Sequence, residues 1–187
     1  PGLSLGIRAA VWAIENMGKA SDEEIVAVTE TDMCAVDAIQ ALVGCTLGKG
    51  NLILRDRGKV AFSFFRRSDG KRVRLVQLVR DDDISRRMKD LRKELTAQNL
   101  SEWIRTKLEI EAERLRRKNI EQILTMPFES LFSIGEPLYD MPHLARRLPT
   151  IICESCGEGV MSSRIQKVNA RALCLDCAEN EIKNTAD

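Results

Sequence analysis

Four cysteines near the end of the chain carry the clearest chemistry. Cys153 and Cys156 stand as C-x2-C in "CESCG", and after 17 residues Cys174 and Cys177 repeat the spacing in "CLDC". Two residues between thiols let one tight turn aim both sulfurs at a common point, and two such turns complete a tetrahedral thiolate shell around zinc. Gly157 suits the turn that points backbone N–H groups at the sulfurs. A full set of four thiolates leaves no open position, so the expected metal is structural Zn2+. An iron–sulfur cluster also fits four cysteines, and two disulfides would need an oxidising compartment.

The residues between the pairs, with Val160, Met161, Ile165, Val168 and Leu173, can form a hairpin, and "AENEIKN" after Cys177 can form a helix. Knuckle, hairpin and ligand-bearing helix is the order of a treble-clef zinc finger. A tail of about 35 residues is too small to fold by burial alone, so metal would supply most of its folding free energy.

The other two cysteines bracket "DMCAVDAIQALVGC". With Asp32 as a cap, Cys34 falls in the first turn of a helix, where free N–H groups favour a thiolate, and Asp37 follows three residues later. Cys45 lies beyond Gly44 in "CTLGKGN". The helix between them separates the sulfurs by ~16 Å, so the two share neither a metal nor a disulfide within it. Both are candidate metal-binding or reactive thiols, and the alternative is that each is a small hydrophobe packed in a core. "GKG" lacks the phosphate-loop spacing and runs into a strand, and His143 reads as a surface residue.

The elements that would position these thiols follow from periodicity. Leu3, Ile7, Ala10, Ile14 and Met17 mark one face of a helix stopped by Gly18. "EIVAVTE" reads as a buried strand, followed by the helix with Ala35, Ile39, Leu42 and Val43. The run from Asn51 to Val79, broken at Asp56-Arg57-Gly58 and Ser68-Asp69-Gly70, predicts a three-strand antiparallel meander with Val60, Phe62 and Phe64 on one face. From Asp81 to about Leu124 the chain reads as charged helix with a narrow stripe at Ile104, Leu108, Ala112 and Leu115. "GEPLYDMPHLARRLP" reads as an extended connector. The expected class is α+β, a mixed β-sheet flanked by helices, with domains at 1–134 and 150–187 and a linker at 135–149.

Composition narrows the function. In 187 residues, 29 Lys+Arg stand against 28 Asp+Glu, a net charge of +1, so the total demands no polyanionic partner. "RLRRK" from Arg114 to Lys118 invites a nucleic-acid reading, but interleaved acids favour a solvated helix. With no apolar run of ~20 residues and no secretory leader, the expectation is a soluble cytoplasmic protein. The chain opens on Pro1-Gly2-Leu3 without an initiator methionine, which leaves two readings open, a fragment or trimmed chain with residues upstream and a protein that starts without them.

"PGLSLGIRAA", "DMCAVDAIQALVGCTLGKGNL" and "RGKVAFSFF" resemble the molybdenum formylmethanofuran dehydrogenase operon protein family, whose members are likened to the E-subunit of that dehydrogenase. The likeness covers about Pro1 to Phe65, and the tail resembles the treble-clef finger of some members. It implies an α+β domain on a mixed sheet, a homodimer, and a metal-binding site lined by cysteine and histidine. Cys34 and Cys45 fall on the family's cysteine positions, in C-x-x-D-A-I-Q and G-C-T-x-G-K-G-N. The family's His-Gly-His-x-Cys motif stands just before Pro-Gly-Leu, the point at which this sequence begins. The implied role is a zinc-binding accessory protein of molybdenum- or tungsten-dependent one-carbon metabolism, with dehydrogenase subunits as partners and a second metal or redox site in the N-terminal domain. The alternatives are a zinc-finger nucleic-acid-binding regulator and a metal-dependent enzyme using the N-terminal cleft.

Overall fold

A computed structural model describes residues 1–19, 24–97, 99–146 and 148–184, with the side chain of Asn184 excepted. Arg147 of the expected connector and residues 185–187 of the expected finger domain lie outside the described residues. The chain divides into two compact units, Pro1–Leu144 and Ala145–Asp187.

The first unit is built on a five-stranded sheet of β1 (Ile25–Thr29), β2 (Leu52–Leu54), β3 (Ala61–Arg66), β4 (Arg72–Gln77) and β5 (Phe132–Gly135). The strand order is β2-β1-β3-β4-β5. β1 is buried along its whole length, as its β-branched residues require, and lies between β2 and β3. The expected meander is therefore corrected. β3 and β4 form an antiparallel hairpin, but β2 pairs with β1, in parallel. The stretch between β1 and β2 acts as a crossover that returns the chain in the same direction, and this parallel pair makes the sheet mixed.

Alternation along the strands sorts the residues onto two faces. Ile25, Ala27, Phe62, Phe64 and Leu75 pack in the main core with α1 (Gly2–Met17) and α2 (Ala35–Ala38), which continues as a π-helical turn over Ile39–Val43. Val26, Val28 and Phe65 face the other way, against Ile53, Tyr139 and Met141. Residues 137–144, read from sequence as part of a connector, thus belong to the first unit. Tyr139 anchors them, donating from its hydroxyl to Ser63 Oγ at 2.9 Å and lying 6.0 Å from the Phe65 ring.

The buried side of α1 also differs from the expected one. Ala10 and Met17 are buried as expected, but Leu3 is 47% exposed, and Gly6, Ala9 and Ala13 are buried beside them. Small residues let α1 approach α2 closely: a Cβ at Gly6 would stand 2.2 Å from the Ala35 carbonyl oxygen. Arg8 on the same helix donates from Nη1 to the carbonyls of Ile123 (2.9 Å), Leu124 (3.0 Å) and Met126 (2.8 Å). It thereby satisfies the C-terminal end of α4 (Glu102–Thr125). The charged region is two helices, α3 (Asp83–Leu95) and α4, because Ser101 starts a new one by accepting from the Ile104 amide at 3.4 Å. Arg87 joins them through Glu111 at 2.8 Å, and Arg117 pairs with Glu113 at 3.0 Å. Of the basic run that suggested nucleic acid, Arg117 is thus engaged locally.

In the second unit, β6 (Thr150–Ile152) pairs with β7 (Gly159–Met161), and β8 (Gln166–Val168) pairs with β9 (Arg171–Leu173). Helix α5 (Leu175–Asn184) follows.

Candidate functional site

The turn between β6 and β7 carries Cys153 and Cys156, and the end of β9 and first turn of α5 carry Cys174 and Cys177. The backbone explains the convergence. Gly157 adopts φ +76° and donates to the Cys153 carbonyl at 2.9 Å, closing the first knuckle. The Cys174 amide donates to Cys153 Sγ at 3.2 Å, and the Cys177 amide donates to Cys174 Sγ at 3.5 Å. All four sulfurs lie within 4.8 Å of one another, and Cys156 Sγ stands 3.9 Å from Cys174 Sγ. Zinc–sulfur bonds of ~2.3 Å in a tetrahedron set the sulfurs about 3.8 Å apart, so the cage matches zinc in size as well as in donor type. Backbone donors, first the Cys156 amide and then that of Cys174, lower the Cys153 thiol to about 6. The neighbouring thiols instead push Cys156 and Cys174 up, so the crowded sulfurs do not all ionise without a cation among them. Cys153 and Cys174 are buried. Zinc would hold the two knuckles together and orient α5.

In the first unit, Cys34 and Cys45 part ways. Cys34, not Asp32, occupies the N-cap position of α2, and it makes no side-chain capping bond. The expected Asp32 cap is corrected: the turn is closed by Thr31, whose Oγ1 accepts from the Met33 amide at 3.3 Å, and by the Val36 amide bonded to the Met33 carbonyl at 2.9 Å. Cys34 is exposed, as is Asp37. Its Cβ lies 3.9 Å from the place a Cβ at Gly2 would occupy, so the thiol sits beside the start of α1. A cavity of about 460 Å³ opens at the same helix end, lined by Pro1, Leu5, Lys59, Gln77, Asn119 and Ile123 among others.

Cys45 is fully buried and donates from Sγ to the Ile25 carbonyl at 3.3 Å. Burial pushes its thiol up to about 12, so it is protonated at every physiological pH. Its neighbours share the same task. Asn51 donates to the Ile25 carbonyl at 2.9 Å while its Oδ1 accepts from the Thr46 amide at 2.9 Å. The "GCTLGKGN" stretch is thus a latch that fastens the crossover to β1, with Gly44 at φ 85° and Gly50 at φ 72° making its bends. Of the two candidate thiols, Cys34 is the one open to reagents. Among the described residues the cluster able to hold a metal is the tail cage, and none forms around Cys34 or Cys45. His143 is exposed.

Sequence reasoning missed an ion pair on the other face of the sheet. Glu30, at the end of β1, accepts from Arg74 of β4 in a two-pronged bond at 2.7 and 2.8 Å, and their side chains are 5% and 13% exposed. The Arg74 hydrogen bond holds the Glu30 carboxyl below the usual range. No local signal links residues 44 positions apart.

Fold and site together define a two-unit protein: a mixed-sheet α+β unit and a four-cysteine zinc-finger unit. A family model described as "FmdE, Molybdenum formylmethanofuran dehydrogenase operon" matches residues 1–133, and the chain belongs to that family. A second model, the prokaryotic dksA/traR C4-type zinc finger, matches residues 146–181 and supports a structural zinc in the cage. A probable S-adenosyl-L-methionine-binding protein of Archaeoglobus fulgidus is 32% identical over an alignment of 187 positions that covers 95% of this chain and 49% of that protein. The chain thus spans about half the length of the curated relative it matches. The crystal structure of a tungsten formylmethanofuran dehydrogenase FmdE-like protein from Syntrophus aciditrophicus has a TM-score of 0.59 at 21% identity, covering 96% of this chain and 84% of that one. It shares the fold. No helix among the described residues is long and apolar enough to cross a membrane.

Proposed function

We propose that this zinc-binding FmdE-family protein is a cytoplasmic accessory of molybdenum- or tungsten-dependent one-carbon metabolism, acting as a homodimer alongside formylmethanofuran dehydrogenase subunits. The observation that carries the reading is the placement of Cys34. On a chain of this family, one thiol is open to solvent beside the start of α1, the helix end whose Pro1 and Leu5 line a 460 Å³ cavity that Cys34 itself does not line, while Cys45 is sealed in the core. Cys34 is the residue that would bind a second metal or exchange electrons or sulfur, with any further ligands supplied from outside the described residues. The zinc finger would serve as a docking module, its fold conditional on metal.

Metal analysis and affinity purification test this together. One zinc per chain is expected from the tail cage, and a second metal lost on Cys34→Ser is expected from an occupied N-terminal site. Co-purification of dehydrogenase subunits supports the accessory role, and its repeated failure counts against it. The name of the Archaeoglobus relative favours one further ligand to assay, S-adenosylmethionine. Saturable binding of that cofactor, abolished by a bulky substitution in the α1 cavity, would move the reading toward an enzyme. Steeply salt-dependent DNA or RNA binding lost with the tail would favour the regulator.

A further inference from the structure

Glu30, held by Arg74 behind it, lies at the floor of a second, smaller cavity that the proposed accessory role does not use. Its volume is about 290 Å³, and it is lined by Glu30, Arg55, Arg57, Lys59, Leu138 and Tyr139. Arg74 neutralises the Glu30 carboxylate at the floor through both of its oxygens. Three cations are left around the opening. Arg55 lies flat over the Tyr139 ring, its guanidinium carbon 4.2 Å from the centroid, which fixes one wall. Arg57 and Lys59 are exposed, and no hydrogen bond or ion pair engages either side chain among the described residues.

The loop bearing them is nonetheless fixed in place. The Arg57 and Lys59 amides both donate to the Glu30 carbonyl, at 2.9 and 3.1 Å, and Gly58 takes φ 62° between them. Of the nearby acids, Glu136 pairs with Arg72 at 3.0 Å and Asp56 is oriented by the Gly58 amide at 2.9 Å, so Asp56 and exposed Asp140 offset part of the positive charge. Both Lys59 and Arg57 make the Glu30 carboxylate easier to ionise, so their charges converge on the cavity. A pinned loop that gathers three cations over a neutralised floor, with an aromatic wall beside it, is organised for an anion that carries more than one charge.

We propose that this cleft binds a small phosphate-bearing molecule, with Arg57 and Lys59 on the phosphate group and the Arg55–Tyr139 stack and Leu138 against its organic part. The volume sits at the low end of the ~300–1,000 Å³ typical of ligand cavities, which suits a monophosphate-sized compound.

Tyr139 is the single tyrosine of the chain, so ring-labelled tyrosine gives one unambiguous NMR reporter in the cavity wall. The full-length protein would be titrated with inorganic phosphate, pyrophosphate and citrate at constant ionic strength, to remove general screening. Phosphate and pyrophosphate are expected to shift the Tyr139 ring signals saturably. The double variant Arg57→Ala/Lys59→Ala keeps both backbone bonds to Glu30, and it should weaken binding by about tenfold or more. Arg105→Ala/Arg114→Ala, which removes equal charge from exposed positions of α4, should leave the affinity unchanged. The proposal is overturned if no saturable shift occurs, if both double variants respond alike, or if citrate binds as tightly as pyrophosphate.

Discussion

Removing one sulfur from the tail cage should separate the fates of the two units. Apart from the ligands, the side chains fully buried among the described residues of the second unit are Leu173 and Ala178. Their burial is worth roughly 3–4 kcal/mol, whereas structural zinc contributes about 10–16 kcal/mol in finger peptides. If the four thiolates share that contribution evenly, Cys156→Ser costs about 3–4 kcal/mol, or two to three orders of magnitude in zinc affinity. Zinc-buffered titrations followed by amide NMR should show the tail folding at free zinc higher by that factor. Tryptophan fluorescence should not change, because Trp12 and Trp103 both lie in the first unit. An unaltered zinc midpoint, or dispersed tail amides in the metal-free protein under strong chelator, would refute the reasoning.

Two other results follow from the first unit. Alkylation of the zinc-loaded protein at pH 8 should label Cys34 and spare Cys45, and peptide mass spectrometry reads the two sites separately; equal labelling would contradict the sealed latch. Glu30→Gln should cost about 2–3 kcal/mol at pH 7 by weakening a charge-assisted bond to Arg74, measured by urea unfolding with tryptophan fluorescence. Because Arg74 depresses the folded-state pKa of Glu30, the contribution of the pair is complete above the unfolded value of about 4.3 and fades as pH falls through the folded value. Wild type should therefore lose its advantage over the variant in acid, and a constant difference from pH 7 down to strongly acid conditions would speak against the pair.

The tail was legible from sequence because its determinants are local: cysteines two apart, a glycine at the knuckle and an apolar hairpin between. Helix α1, strands β1, β3 and β4, and the stop at Gly44 follow from periodicity and turn residues in the same way. The place of β2 does not, because Asp56-Arg57-Gly58 looks like a hairpin turn whether or not the flanking strands pair. The loop instead wraps the Glu30 carbonyl, a contact set by sheet order. The buried face of α1 was misjudged because close helix approach selects Gly6 and alanines over the larger Leu3. Residues 137–144 carry the prolines of a connector, and their attachment depends on Tyr139 finding Ser63, 76 positions away. Cys45 had the residue type of a reactive site, but its character was decided by the Ile25 carbonyl and the absence of water.

The notch at Gly6 has a mechanical corollary. Main chain rests on main chain there, so any side chain added at Gly6 would have to push the beginning of α2 away from α1. Cys34, one residue before Ala35, would be displaced with it, so the position of that sulfur depends on a glycine that carries none of its chemistry.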